Sequence, residues 1–147
     1  MNSYMIEKWN ETIDDDDYVY HLGDLGLGSR EKLTPIVQSL NGKKTLITGN
    51  HDHGTITAYE SMGFDKVIRQ PLRLTYEDKT IWLSHHPIDE LEDWEYNVFG
   101  HIHTNHDELI HRRGCCVCVE RINYIPMEFS EVLKNLSIPA GENLTFV

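Results

Sequence analysis

Thr45-Leu46-Ile47-Thr48-Gly49-Asn50-His51-Asp52 decides how this chain is read. Four residues of strand character run into a glycine, and the glycine opens a cluster of Asn, His and Asp. The same grammar recurs elsewhere. Tyr18 to Leu22, rich in aromatic and β-branched residues, leads into Gly23-Asp24. Thr80 to Ser84 leads into His85-His86-Pro87, and Tyr96 to Phe99 into Gly100-His101-Ile102-His103. In open α/β architectures, functional residues collect at the carboxyl ends of strands. Four blocks far apart in sequence are thereby placed to converge.

The intervening segments carry helical periodicity. Met5, Ile6, Trp9 and Ile13 share one face, as do Leu33, Ile36, Val37 and Leu40, with Ser29 suited to cap the second helix and Gly42 to end it. A short helix over Thr55 to Met62 stops at Gly63. Leu72 to Tyr76 and Thr80 to Ser84 form a hairpin turning at Glu77-Asp78-Lys79. Cys115 to Glu120 reads as a strand, and Ser130 to Leu136 as a last helix capped by Ser130. The tail from Ser137 to Val147 adds an edge strand or none. Helices and strands alternate early and strands dominate later, which predicts an α/β fold of mixed sheets flanked by helices in one domain, residues 1–147.

Composition excludes several functions. Lys and Arg total 13 against 24 Asp and Glu, a net charge of −11. Such a surface repels polyanions, so broad nucleic-acid binding is not expected. A small phosphorylated ligand is compatible, because bound cations reverse the local field. Asp14-Asp15-Asp16-Asp17 reads as a solvated turn and lacks the spacing of a Ca²⁺ loop. Cys115, Cys116 and Cys118, odd in number and clustered, make neither a disulfide framework nor a zinc ribbon, and fit a buried strand in a reducing cytoplasm. No signal peptide or membrane span is expected.

Each block has a chemical and a plainer reading. Asp24 can bridge two cations with its two oxygens, or bind backbone N–H groups in a turn. Asn50 offers a hard amide oxygen. His51 can protonate a leaving alkoxide, with Asp52 orienting its ring; alternatively Gly49–Asp52 is an ordinary turn. Period-two alternation puts Ile81, Leu83 and His85 on one face and Trp82, Ser84 and His86 on the other, so only one of the two histidines reaches a given site. His101 and His103, two apart in an extended segment, point the same way, as metal ligands do. His21, His53, His106 and His111 have no ligand role. Trp94 and Tyr96 could stack on a base, but core packing is the simpler use of each.

In order and wording, Gly-Asp, Gly-Asn-His-Asp, His-x-Pro and Gly-His-x-His resemble the calcineurin-like metallophosphoesterases, most closely their small, single-domain bacterial and phage members. Val19-Tyr20-His21-Leu22-Gly23-Asp24, the stretch from Leu40 to Asp52 and Asn123-Tyr124-Ile125-Pro126 carry the likeness across nearly the whole chain. The resemblance implies a metal-dependent phosphoesterase, hydrolysing phosphodiesters or phosphomonoesters with metal-activated water. It assigns Asp24 as bridging ligand. Asn50, His85 and His101 complete the second metal site, and His103 binds the first metal. His51 is the catalytic acid, supported by Asp52. The cofactor expected is Mn²⁺, with Fe, Ni²⁺ or Zn²⁺ as alternatives, and the substrate a small phosphoester or nucleotide. The Asp-x-His that opens the family's sequences is not among these residues, and Met1 to Asn10 reads as the helix that follows its strand. One strong site and one weak or absent site are therefore expected, with reduced activity. A truncated enzyme, a homo-oligomer covering the vacated strand edge, a non-catalytic metal-, nucleotide- or protein-binding member and a start codon placed too far downstream all accord with that sequence.

Overall fold

A computed structural model of the chain describes residues 3–23, 30–49, 52, 54–88, 90–100, 114–117 and 126–138. Three helix-strand pairs come first: α1 (Ser3–Thr12) with β1 (Tyr18–His21), α2 (Arg30–Ser39) with β2 (Lys43–Ile47), and α3 (Ile56–Met62) with β3 (Lys66–Ile68). Then come β4 (Leu72–Tyr76), β5 (Lys79–Ser84), β6 (Glu95–Phe99), β7 (Gly114–Cys116) and α4 (Phe129–Asn135). The first three strands form a parallel sheet in the order β1-β2-β3. The last four form a mixed sheet in sequence order, antiparallel between β4 and β5 and parallel from β5 to β7. The expected mixed α/β architecture, with sheets flanked by helices, is the one observed.

Strand alternation builds two cores. Along β2 and β3, Leu46 and Val67 join Val37 of α2 and Tyr59 and Met62 of α3, so these helices cover one face of the parallel sheet. Ile47 and Ile68, one residue on, belong instead to the larger cluster that contains Ile81, Leu83 and Val98 of the mixed sheet and Val132 and Leu133 of α4. That cluster joins the two sheets. Full burial of each such aliphatic side chain is worth about 1.5–3 kcal/mol.

Local devices set the element ends. Thr55 caps α3, its hydroxyl accepting from Ala58 N at 3.1 Å, and Gly63 ends it at φ +124°. The four aspartates form the expected turn: Asp17 N–H reaches Asp14 O, and Asp14 N–H reaches the Asp17 carboxylate at 2.8 Å. α1 is fixed to the α2–β2 connection, where Trp9 Nε1 donates to Asn41 O, and the Asn10 side chain donates to Ser39 O and accepts from Asn41 N–H. The hairpin forms as expected, with Tyr76 opposite Lys79 and Glu77 at φ +55°.

Two local expectations are corrected. α4 is capped by Glu128, which makes no side-chain cap bond, and Ser130 lies inside the helix. β3 has no counterpart in the sequence reading; three residues led by an exposed lysine are too short to show alternation. The strand at Cys115 runs Gly114–Cys116, and residues 118–120, the cap Ser29 and the tail from 139 lie outside the described residues.

Candidate metal centre at the converging strand ends

All three strands of the parallel sheet end on one side, as do β5 and β6 of the mixed sheet. The chain beyond β1 reaches Leu22 and Gly23; beyond β2 it reaches Thr48 and Gly49. A Cβ added at Gly23, which has φ +98°, would lie 2.6 Å from both Gly49 N and His85 Nδ1 and 2.7 Å from Gly49 Cα. Only glycine allows three elements to approach so closely there. Gly100, beyond β6, donates its N–H to His85 O at 3.2 Å, and a Cβ on it would sit 3.5 Å from Leu22 O. The described residues that flank all four blocks thus meet at one place.

His85 is 4% exposed, whereas His86 is exposed, as the alternation along β5 requires. His85 Nδ1 lies 2.7 Å from Leu22 O. A carbonyl can only accept, so Nδ1 carries a proton, and in the neutral ring Nε2 is the acceptor nitrogen. This is the arrangement that orients a histidine for metal ligation. The His86 ring stands edge-on to His85, with centroids 4.7 Å apart. His21, given no ligand role, accepts from Gly23 N–H through Nδ1 at 3.2 Å and so steadies the backbone at Gly23.

Asp52 is 6% exposed. Its carboxylate accepts from Gly49 N–H at 2.8 Å, and its own N–H donates to Gly49 O at 3.2 Å. These bonds close the chain on either side of positions 50 and 51. Further along, Tyr59 hydroxyl accepts from Gly54 N–H, and Arg69, just past β3, donates to Gly54 O at 2.7 Å. Asp24, Asn50, His51, His101 and His103 lie outside the described residues, so their mutual geometry is not part of the arrangement above. Among the described residues, no group of three or more His, Cys, Asp and Glu could hold a metal ion.

Two polar residues that sequence reasoning passed over support the site. Asn97, wholly buried, donates to Ser84 Oγ at 2.9 Å and Trp82 O at 3.0 Å and accepts from Ile88 N–H at 2.8 Å. Ser84 Oγ in turn donates to His86 O at 2.6 Å. An amide inside the run Tyr96-Asn97-Val98-Phe99, where β propensity favours apolar residues, was the available signal.

Trp94 and Tyr96 sit near the start of β6, at the opposite end from His85, since Thr80 pairs with Glu95 and Ser84 with Phe99. Tyr96 packs against the larger core, as expected, while Trp94 is 55% exposed rather than packed. Cys115 and Cys116 lie buried in β7 and form no disulfide among the described residues. Burial pushes the Cys115 thiol up, against a smaller opposing effect of the Asn135 contact, which suits an inert core residue.

A two-sheet α/β fold that brings such motifs to one set of strand ends defines the class of protein. The chain belongs to the calcineurin-like phosphoesterase superfamily, whose domain model matches residues 1–119. That family generally binds divalent metals. An uncharacterized protein of Methanocaldococcus jannaschii is 32% identical over 145 residues, covering 91% of this chain and 74% of its own length. The crystal structure of a protein of unknown function from Aquifex aeolicus has the same fold, with a TM-score of 0.69 at 23% identity, over 89% of this chain and 82% of that one. Among the described residues, no helix is long and apolar enough to cross a membrane.

Proposed function

We propose that this protein is a metal-dependent hydrolase of small phosphodiesters or phosphomonoesters. The observation that carries the reading is the contact of Gly23, Gly49 and His85, with Gly100 bonded to His85, because each adjoins or belongs to a block bearing candidate ligands. In this reading Asp24, Asn50, His85 and His101 hold one cation, and Asp24 with His103 a second. The mixed nitrogen and oxygen donors suit Mn²⁺. A divalent cation, when bound, supplies Lewis-acid stabilisation of phosphoryl oxygens and acidifies water. His85, with Nδ1 committed to Leu22 O, presents the nitrogen such a cation needs. His51 gives its proton to the departing alkoxide, a contribution of roughly 10²–10⁴-fold. Asp52 holds the turn that carries it and orients the ring.

The net charge of −11 supports a small substrate over long nucleic acid. The odd, clustered set Cys115, Cys116 and Cys118 is in keeping with a reducing cytoplasm. No strand lies beside the outer edge of β1 among the described residues, which favours a homo-oligomer along that edge; sedimentation of the purified chain would test it.

Hydrolysis of bis(p-nitrophenyl) phosphate across a Mn²⁺ titration tests the activity. Turnover should rise with Mn²⁺ and vanish in Asp24→Ala, and His51→Ala should lose turnover while still binding Mn²⁺. A parent chain no faster than Asp24→Ala at millimolar Mn²⁺ would instead favour a non-catalytic binding protein on the same fold.

A further inference from the structure

We propose that Asn97 and Ser84 are positioning residues that hold His85 in one tautomer and one orientation. His85 lies in the chain between Ser84 and the His86-Pro87-Ile88 turn. Pro87 has no N–H to anchor that turn. The groups on either side of it, His86 C=O and Ile88 N–H, are both tied to Asn97, one through Ser84 Oγ and the other directly. The second Asn97 donor goes to Trp82 O in the adjacent strand. With an N–H to accept from and two oxygens to donate to, the amide has one permitted orientation.

Asn97 is wholly buried and Ser84 is 3% exposed, so solvent cannot substitute for these bonds. Burying an amide in a strand carries a cost that a hydrophobic residue would avoid. Here the amide fixes the backbone on both sides of His85, whose ring must cross from the mixed sheet to Leu22 O at the end of β1. Freed at His86 and Ile88, the main chain at His85 could rotate, and Nδ1 would lose its carbonyl. The effect on metal binding rests on the phosphoesterase reading; the effect on the tautomer does not.

Both are measurable on the full chain. In the metal-free protein, ¹⁵N spectra of the His85 ring should show a single Nδ1–H tautomer. Ser84→Ala should give a mixture of tautomers and weaken Mn²⁺ binding, read by calorimetry, about tenfold. Ser84→Thr should restore both. Ser84→Cys, near-isosteric and a poor donor, carries the same test if the alanine variant does not fold. Val37→Ala, buried on the far face of the parallel sheet, should lower the melting temperature and leave both readouts unchanged. A parent without the Nδ1–H tautomer, a Ser84→Ala protein that retains it, or a Val37→Ala protein that loses it would overturn the proposal. A parent that binds no Mn²⁺ but whose tautomer responds as stated would sustain the positioning role and refute the phosphoesterase reading.

Discussion

Gly23→Ala tests whether the convergence of strand ends is as tight as described. Gly23 has φ +98°, and an alanine there carries about 1–2 kcal/mol of backbone strain. The new methyl would also lie 2.6 Å from Gly49 N, 2.7 Å from Gly49 Cα and 2.6 Å from His85 Nδ1. Two of those atoms are backbone, so the end of β2 itself must move, at a cost of about 1–3 kcal/mol. The sum is about 2–5 kcal/mol, a large part of the 5–15 kcal/mol typical of a whole domain. With a urea slope of roughly 2 kcal/mol/M, the unfolding midpoint should fall by roughly 1–2.5 M. Gly100→Ala is the matched control. Among the described residues, its methyl meets only ordinary contacts at 3.5 Å and beyond, and it should cost less than about 1 kcal/mol. If the two variants unfold at the same urea concentration, the close approach of Gly23, Gly49 and His85 is not the geometry of the folded chain.

Lys44→Met should destabilise by about 1–3 kcal/mol in the same assay, because the buried ammonium bonds Leu40 O at 2.8 Å and Gly42 O at 3.2 Å; unchanged stability would make those bonds energetically empty. Glu95 accepts from Trp82 Nε1 at 2.7 Å and Glu92 N–H at 2.9 Å, and the Trp82 bond chiefly holds its carboxyl below the usual 4.5. A lowered folded-state value gives stability that is fully present above 4.5 and is lost below it, as pH falls through the lowered folded-state value. Glu95→Gln should therefore be less stable than the parent at pH 7, and the difference should shrink as pH falls below 4.5, as thermal melts across that range would show.

The parts of the fold that were legible in the sequence are those whose signal is local. Leu46 and Ile47 alternate because they feed different cores, and Ile81, Leu83 and His85 share a face because period two holds along β5. The stop at Gly63 uses backbone chemistry that any sequence displays, whereas Thr55, read as the first residue of the helix, is its cap. β3 was invisible because its place comes from pairing with β2 and not from its own pattern. Glu128 was passed over as the cap of α4 because Ser130 has the better capping side chain, and packing of Phe129 and Val132 fixed the boundary instead. Asn97 shows the same limit at the site. A strand pattern announces an odd polar residue, but nothing in sequence says that a turn nine residues earlier holds its partner.

The glycines of the motifs take on a second meaning in the structure. Read in sequence, Gly23, Gly49 and Gly100 mark where strands become loops. In the fold they are the surfaces on which three strand ends touch, and a fourth element, His85, fills the space that a Cβ at Gly23 would take. A side chain on Gly23 would meet Gly49 and His85 at 2.6–2.7 Å and would disturb the Nδ1–H contact to Leu22 O. The motif Gly-Asp is weak evidence as a string. As a packing requirement it becomes specific, because the glycine gives the space and the histidine of a distant strand occupies it.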